Sequence, residues 1–445
     1  MGEAASTAAE APPRHTLTVR GATVLGVGSM VGAGIFALLG EAGAVAGAAV
    51  WISFLVGGVV AGLLGYVCAK LGMRFPSSGG LITYLTEGFG LGRVVGITSW
   101  LGYIAAVVVV TAMVAVSFGG YAVSLFVPDS TWSGWDNVFI SALLVVMCAL
   151  NMVGTKAVAA AQAALVVGVL AVFGVFIFST LPHIDTALLS FDDYPSASKI
   201  LASVALTFFA FLGFNVLTFT AGDMANPKRD LPRAMALSLG ITTVLYVLIA
   251  IGVFGTLTVP EVIGYGETAI AEAARPQLGD AGFTAMAIAA LLATAGCTNA
   301  TLYASDNLCN SLAEIRVFPA FLGAASRLGP HGGLLVTTGL ALVIANLATL
   351  GAIASVGSAV SLAVFLLIGV AGWRRRHDTG SNPVIVLAAI VVIAVVLVFF
   401  IADTIGNAPE TFAAIVGTGI LAVVLDAVLR RPPPELTSQL ADPAA

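Results

Sequence analysis

Twelve apolar runs, each near the length that crosses a bilayer, dominate this 445-residue chain and leave its backbone few choices. A helix needs about 20 apolar residues to span the hydrocarbon. The runs fall near 19–44, 48–70, 90–126, 137–154, 157–181, 198–222, 232–258, 281–313, 332–350, 352–373, 383–403 and 410–430. In lipid every backbone N–H and C=O must find a partner inside the protein, so runs of this length are read as transmembrane helices. Composition agrees, with 59% hydrophobic and 9% charged residues and a mean hydropathy of +1.04, against about 25% charged in a soluble globular chain. The expected fold is therefore an all-α integral membrane protein with 12 transmembrane helices. The third and eighth runs are long enough to tilt or to extend beyond the membrane.

Charge orients the runs. With the N-terminus cytoplasmic, only Lys199 and Arg275 of the 18 basic residues face outward, and the rest, from Arg14 and Arg20 to Arg430 and Arg431, face inward. The positive-inside rule expects this split, and one missed or extra span would scramble it. Both termini are then cytoplasmic, and a multi-pass protein of the cell membrane is expected. Met1–Pro13 is polar and Ala-rich, without a basic stretch leading into a short apolar core, so it does not read as a cleaved signal peptide. No basic patch with interleaved aromatics points to nucleic acid. Cys68, Cys148, Cys297 and Cys309 lie inside apolar runs at no metal-ligand spacing, and read as packing residues. No metal or cofactor is expected.

Two runs carry interruptions. The first contains Gly28-Ser-Met-Val-Gly32-Ala-Gly34-Ile-Phe36. Gly28-x-x-x-Gly32 alone reads equally as a small-xxx-small pair that lets helices approach. A dinucleotide loop is excluded, because the spacing is wrong and no strand precedes it. The sixth run contains Phe208-Phe-Ala-Phe-Leu-Gly213-Phe-Asn215, with the stop Asn226-Pro227-Lys-Arg-Asp-Leu-Pro232 after it; alone it reads equally as an aromatic helix face with one tolerated glycine. Broken backbone at membrane depth is tolerated only beside protein or a water-filled cavity, where freed N–H and C=O groups can hold a ligand. Interruptions at corresponding places of two halves are the sequence mark of inverted repeats around a midplane site. Helices one and six are thus expected to be unwound, in two repeats of five spans with two further helices.

Gly28–Phe36 resembles the first-helix signature of the amino acid–polyamine–organocation (APC) permeases. Phe75-Pro-Ser-Ser-Gly79-Gly80-Leu-Ile-Thr-Tyr84, with Glu87-Gly-Phe89-Gly90, is similar to their second-to-third-helix loop. Phe208–Phe214 followed by Asn226–Arg233 resembles their sixth helix and its cytoplasmic exit. These signatures occur in the family's order, and the span pattern covers residues 19–430. The resemblance implies the LeuT-like 5+5 inverted-repeat fold, with repeat one at about 19–181, repeat two at about 198–373 and extra helices at about 383–430. It also implies secondary transport of amino acids or related amines. Residues 1–18 and 431–445 are expected to be disordered cytoplasmic tails.

The expected site follows from physical chemistry. Free N–H groups around Gly32, Ala33 and Gly34, at a helix N-terminus, favour a carboxylate. Unpaired carbonyls near Ser29, Met30 and Val31, and near Phe208, Phe209, Ala210 and Phe211, with Leu212 and Asn215 alongside, can accept from an ammonium group. A zwitterionic amino acid satisfies both without burying a protein charge. Ala105–Val116 and Ala354–Val364 carry no ionisable group, which predicts a neutral, small or aliphatic substrate. Phe209 matches the family's aromatic gate position, though plain core packing is the alternative reading.

Driving force is open at this stage. Proton-coupled relatives often carry a lysine in the fifth helix, but residues 157–181 hold no charge. Asp306, amid Thr301 and several amides, is the expected proton or sodium site, or else a hydrated aspartate near the cytoplasmic end of a long helix. A charge inside a span costs about 2.5–3.5 kcal/mol on insertion scales. Asp223 is expected to brace an inner gate against Lys228 or Arg229. Coupled uptake and amino-acid exchange or export both remain open. A non-transporting nutrient sensor would reuse the fold, and a channel would need repeated rings along a pore. A membrane enzyme would need a nucleophile with a base, paired acids or a metal cluster within the spans. His15, His183, His331 and His377 all fall in tails or loops.

Overall fold

The computed structural model describes residues 17–75, 80–90, 92–128, 132–153, 158–220, 224–323 and 331–430. The expected tails (apart from Leu17 and Thr18), the Pro76–Gly79 part of the second loop, and Asp223 lie outside them. Among the described residues the chain is nearly all helical, with no strand. An isolated backbone bridge joins Leu17, just before the first helix, to Met224, just after the sixth span.

The first apolar run folds as α1 (Val19–Ala33) and α2 (Ile35–Ala46), separated by Gly34. Thr18 caps α1 by accepting the Gly21 N–H at 3.2 Å, which satisfies one of the unpaired amides of a helix start. A tight turn at Gly47–Ala49, with Gly47 at φ +55°, leads into α3 (Val50–Arg74). A short helix α4 (Gly80–Phe89) precedes the third span, which runs from α5 (Arg93–Tyr103) through a π-helical segment (Ile104–Val109) into α6 (Val110–Phe126). Helices α7 (Trp135–Val153) and α8 (Val158–Thr180) complete the first half.

The second half opens with α9 (Ala197–Ala210), a 3-10 turn (Leu212–Asn215) and α10 (Val216–Phe219). Next come α11 (Pro227–Phe254), the short α12 (Val259–Tyr265) and α13 (Ala269–Glu314). Gly279, at φ +63°, breaks α13 into an outer segment and a span beginning near Asp280, where the hydropathy places the eighth run. The remaining helices are α14 (Gly332–Leu347), α15 (Leu350–Arg374), α16 (Arg376–Thr379), α17 (Pro383–Asn407) and α18 (Pro409–Leu429). Nine helical stretches among the described residues are long and apolar enough to cross a membrane, or ten with the bent α9/α10 pair. The stretch α2–α3 counts as one of these, and α14, at 16 residues, is shorter than the usual span.

The interrupted helices form the centre. α1 packs on α11 and on the turn at Leu212–Asn215, α2 packs on α9, and α3 lies against α9 and α11. α13 and α15 close the sides against α6 and the π-helical segment. α7, α17 and α18 sit outermost, with Val145, Val398 and Val428 more than half exposed. Apolar side chains turned outward are what lipid requires of a peripheral span.

Candidate functional site

The break in the first span is a single residue wide. Gly34 lies at φ −93°, ψ −80°; its N–H bonds the Met30 carbonyl at 2.9 Å, and its C=O receives the Leu38 N–H at 3.0 Å. The helical ladder lapses there, which leaves C=O groups at the end of α1 and N–H groups at the start of α2 without regular partners. This corrects one expectation: Gly32 and Ala33 belong to α1, the Gly34 amide is bonded and the Ile35 amide meets the Tyr246 hydroxyl, so the open amides lie beyond Ile35 in the first turn of α2. Gly28 and Gly32 are packing residues. A Cβ on Gly28 would run into Val166 of α8, and one on Gly32 would meet the Ala293 carbonyl at 2.9 Å and Cys297 at 3.0 Å on α13.

The sixth span breaks differently. α9 ends at Ala210, Phe211 turns at φ −90°, ψ −4°, and the following 3-10 turn sets α10 off by 44°. This turn uses up two of the expected acceptors. The Phe208 carbonyl receives the Phe211 N–H at 2.9 Å, and the Phe211 carbonyl receives the Phe214 N–H at 3.0 Å. A tight turn satisfies its carbonyls locally where an open coil would leave them bare.

The two breaks touch. A Cβ on Gly34 would overlap the Ala210 carbonyl and the Tyr246 hydroxyl, and a Cβ on Gly213 would overlap the backbone of Ser29 and Met30. Tyr246 of α11 is fully buried and bridges them: its hydroxyl donates to the Ala210 carbonyl at 3.3 Å and lies against the Ile35 backbone amide. Hydroxyl-to-carbonyl bonds fasten the outer parts together. Ser203 donates to Ala42 at 3.0 Å, Thr207 to Ser53 at 2.7 Å, and Ser53 to Ile200 at 3.2 Å.

The four phenylalanines around the sixth break divide by face. Phe208 and Phe214 pack on Phe365 at 5.7 and 5.3 Å, and Phe211 packs on Tyr246 at 5.1 Å. Phe209 meets the same helix α15 higher up, where Gly357 leaves room for its ring beside Val109 of the third span. Val109 ends the π-helical segment, and Ala105 of the same segment packs with Val360 and Val364 of α15. Leu212 is buried, while Asn215 is half-buried with no side-chain hydrogen bond among the described residues. Val31 lines a cavity of only about 10 Å³ with Gly28, Gly32, Val166, Val169 and Ala293. That is room for one water at most, in an apolar shell that gives it few polar partners.

The coupling candidates lie apart from the breaks. Thr301 turns its hydroxyl back to the Cys297 carbonyl at 2.9 Å. Asp306 meets His331 at the start of α14, Oδ2 to Nδ1 3.0 Å, while its Oδ1 is buried without a partner among the described residues. Glu267, in the turn at Gly266–Thr268, occupies the room left by Gly120 beside Tyr121. Burial pushes its carboxyl up to about 7, with the charges of Asp136 and Glu41 adding to the effect. Among the described residues, no three of His, Cys, Asp and Glu sit where they could hold a metal ion.

Three features here carry no mark in the sequence. Tyr246 is one more aromatic in an apolar run, the π-helical segment is apolar on every face, and His331 is 25 residues from its partner. The breaks themselves were marked by Gly34 and Gly213.

Comparison with known proteins gives one consistent result. The family profile described as amino acid permease matches residues 17–422. The chain is 32% identical over 408 residues to the inner membrane transport protein YbaT of Escherichia coli strain K12, covering 92% of this chain and 94% of that protein. It is 29% identical over 307 residues to the serine/threonine exchanger SteT of Bacillus subtilis strain 168, covering 67% and 68%.

Proposed function

This chain belongs to the amino acid permease family, and on that premise we propose that it moves neutral, small or aliphatic amino acids across the cell membrane by alternating access. It is a multi-pass membrane transport protein, not an enzyme. The observation that carries the reading is the meeting of two broken helices at Gly34 and Phe211–Gly213. Amides at the start of α2 offer donors and a positive dipole end to a carboxylate. Carbonyls at the ends of α1 and α9 offer acceptors to an ammonium group, the Ala210 carbonyl among them once Tyr246 releases it. Ser29, Met30, Val31 and Gly34 on one side, with Phe208 to Leu212 and Asn215 on the other, are the proposed substrate shell. The absence of a charged side chain in that shell supports a neutral substrate.

We take the first and sixth runs and the short α14 as spans, which makes twelve, with two inverted five-helix repeats and both termini cytoplasmic. The basic-residue split supports this orientation. Phe209, between the third and tenth spans, closes over the substrate. Uptake coupled to a proton or another cation is the first reading, with Asp306 as the coupling site and Thr301 five positions earlier on α13; Asp223 and the basic turn after the sixth span then brace the inner gate. Exchange is the second reading, favoured by the relative named a serine/threonine exchanger.

Purified protein in proteoliposomes, given a panel of labelled amino acids, tests the proposal. Saturable uptake of neutral amino acids is expected. Stimulation by an imposed proton or sodium gradient supports coupling, and stimulation by internal substrate alone supports exchange. Uptake confined to basic or acidic amino acids would refute the neutral assignment.

A further inference from the structure

A lipid-facing groove of about 540 Å³ runs between α3 and α11, lined by none of the residues at the helix breaks. Pockets that bury a whole small ligand have about 300–1,000 Å³. The two helices close tightly at Gly58 and Gly65, where an added Cβ would strike Thr243 and Leu239. Between these points they part. Gly62 and Gly240 both line the groove, and a Cβ on either would meet no protein atom within 4 Å. A glycine inside a helix is less stable than an alanine, and here no group among the described residues uses the room it leaves. The lips, Val59 and Val244, are 55% and 58% exposed.

The cytoplasmic mouth is basic. Lys70 lines the groove there; it gives one hydrogen bond to the Gly380 carbonyl at 3.2 Å and has two donors left among the described residues. On α11 the groove-lining stripe Pro232, Ala236, Gly240 and Val244 repeats every four residues, and one step back along it lies Lys228. Lys228, Arg229 and Arg233 are exposed, and none of the four basic groups makes an ion pair among the described residues. Asp230, the acid of that turn, is two positions from Lys228 and so on the opposite face.

We propose that this groove is a binding site for one anionic phospholipid of the inner leaflet, with an acyl chain laid along Gly62 and Gly240 and the phosphate held by Lys70 and Lys228. Basic residues at the inner membrane surface attract anionic headgroups, and an apolar slot open to lipid accepts a chain without leaving a polar group unpaired. A second copy of this chain fits worse: a two-fold contact sets a patch against itself, which would bring these cations face to face.

The test is lipid retention. The full-length protein is purified in detergent with equal phosphatidylglycerol and phosphatidylcholine, and bound lipid is counted by native mass spectrometry. About one tightly held phosphatidylglycerol per chain is expected. Gly62→Leu with Gly240→Leu should lose most of it, and those side chains enter empty space, so an unchanged melting temperature checks the fold. Lys70→Gln should lower the preference for phosphatidylglycerol about fivefold, the worth of one basic residue at an anionic surface. Equal retention of both lipids, undiminished retention in the filled variant, or a dimer that the filled variant abolishes would each overturn the proposal.

Discussion

Gly34 and Gly213 are the residues on which the two broken helices turn, because each presents bare backbone to the other. An added methyl at Gly213 has no flexible neighbour to displace, since it faces the Ser29 and Met30 backbone. Gly213→Ala should therefore lower uptake more than about tenfold, a loss that needs only about 1.4 kcal/mol, while the protein still inserts and purifies as a single species. Tyr246→Phe removes the bonds to Ala210 and Ile35. At an average of about 0.6 kcal/mol for a hydrogen bond between membrane helices, the bridge contributes about 1 kcal/mol, and an altered uptake rate of about fivefold is expected, with normal expression. These residues were unequally legible. Glycines in an apolar run announce either packing or a break, and the sequence cannot separate the two, because the difference lies in what stands opposite. Gly28 and Gly32 face α8 and α13 and pack; Gly34, two positions on, faces the end of α9 and the Tyr246 hydroxyl and breaks the helix.

At the scale of elements, hydropathy places the spans well because a bilayer sets their length. The third run is expected near 90–126 and folds as Arg93–Phe126 with its π-helical insert. The insert itself is illegible, since Ile104–Val109 reads as apolar whichever way it winds. The outer segment between α11 and the eighth span was also missed as structure. Its helix α12 starts at a capping box, with the Glu261 carboxylate accepting from the Thr258 N–H and hydroxyl at 2.8 and 2.7 Å. Those two donors hold the Glu261 carboxyl below its usual range. Glu267 in the same segment is shifted the other way, to about 7. An acid raised in the folded state stabilises it below the unfolded value and loses that contribution as pH rises through the folded one. The outer segment should accordingly be most stable near pH 4.5 and loosen by pH 8. Melting of the wild type should fall across that window more than melting of Glu267→Gln, and parallel curves would remove the assignment.

Across the whole molecule, ties on the two sides of the membrane differ in kind. The outer parts of the breaks are joined by buried hydroxyl-to-carbonyl bonds from Ser203 and Thr207. The opposite end of the bundle is held by the Leu17–Met224 bridge and by Asp306 with His331. An alternating-access cycle must release one set while keeping the other. His331→Ala leaves Asp306 without its ring partner. It should change the maximal uptake rate by about threefold, the worth of one such bond, and leave apparent substrate affinity unchanged; Asp306→Asn should in addition abolish any response to an imposed proton gradient. If the gradient response survives in Asp306→Asn, that carboxylate is structural.

The central claim is that an amino acid is held by backbone groups where the first and sixth spans break. Equilibrium binding of a labelled neutral amino acid to the purified protein tests this without needing turnover. Saturable binding in the wild type, lost in Gly213→Ala and preserved in Gly62→Leu, is the predicted result. Undiminished saturable binding in a folded Gly213→Ala protein would contradict it.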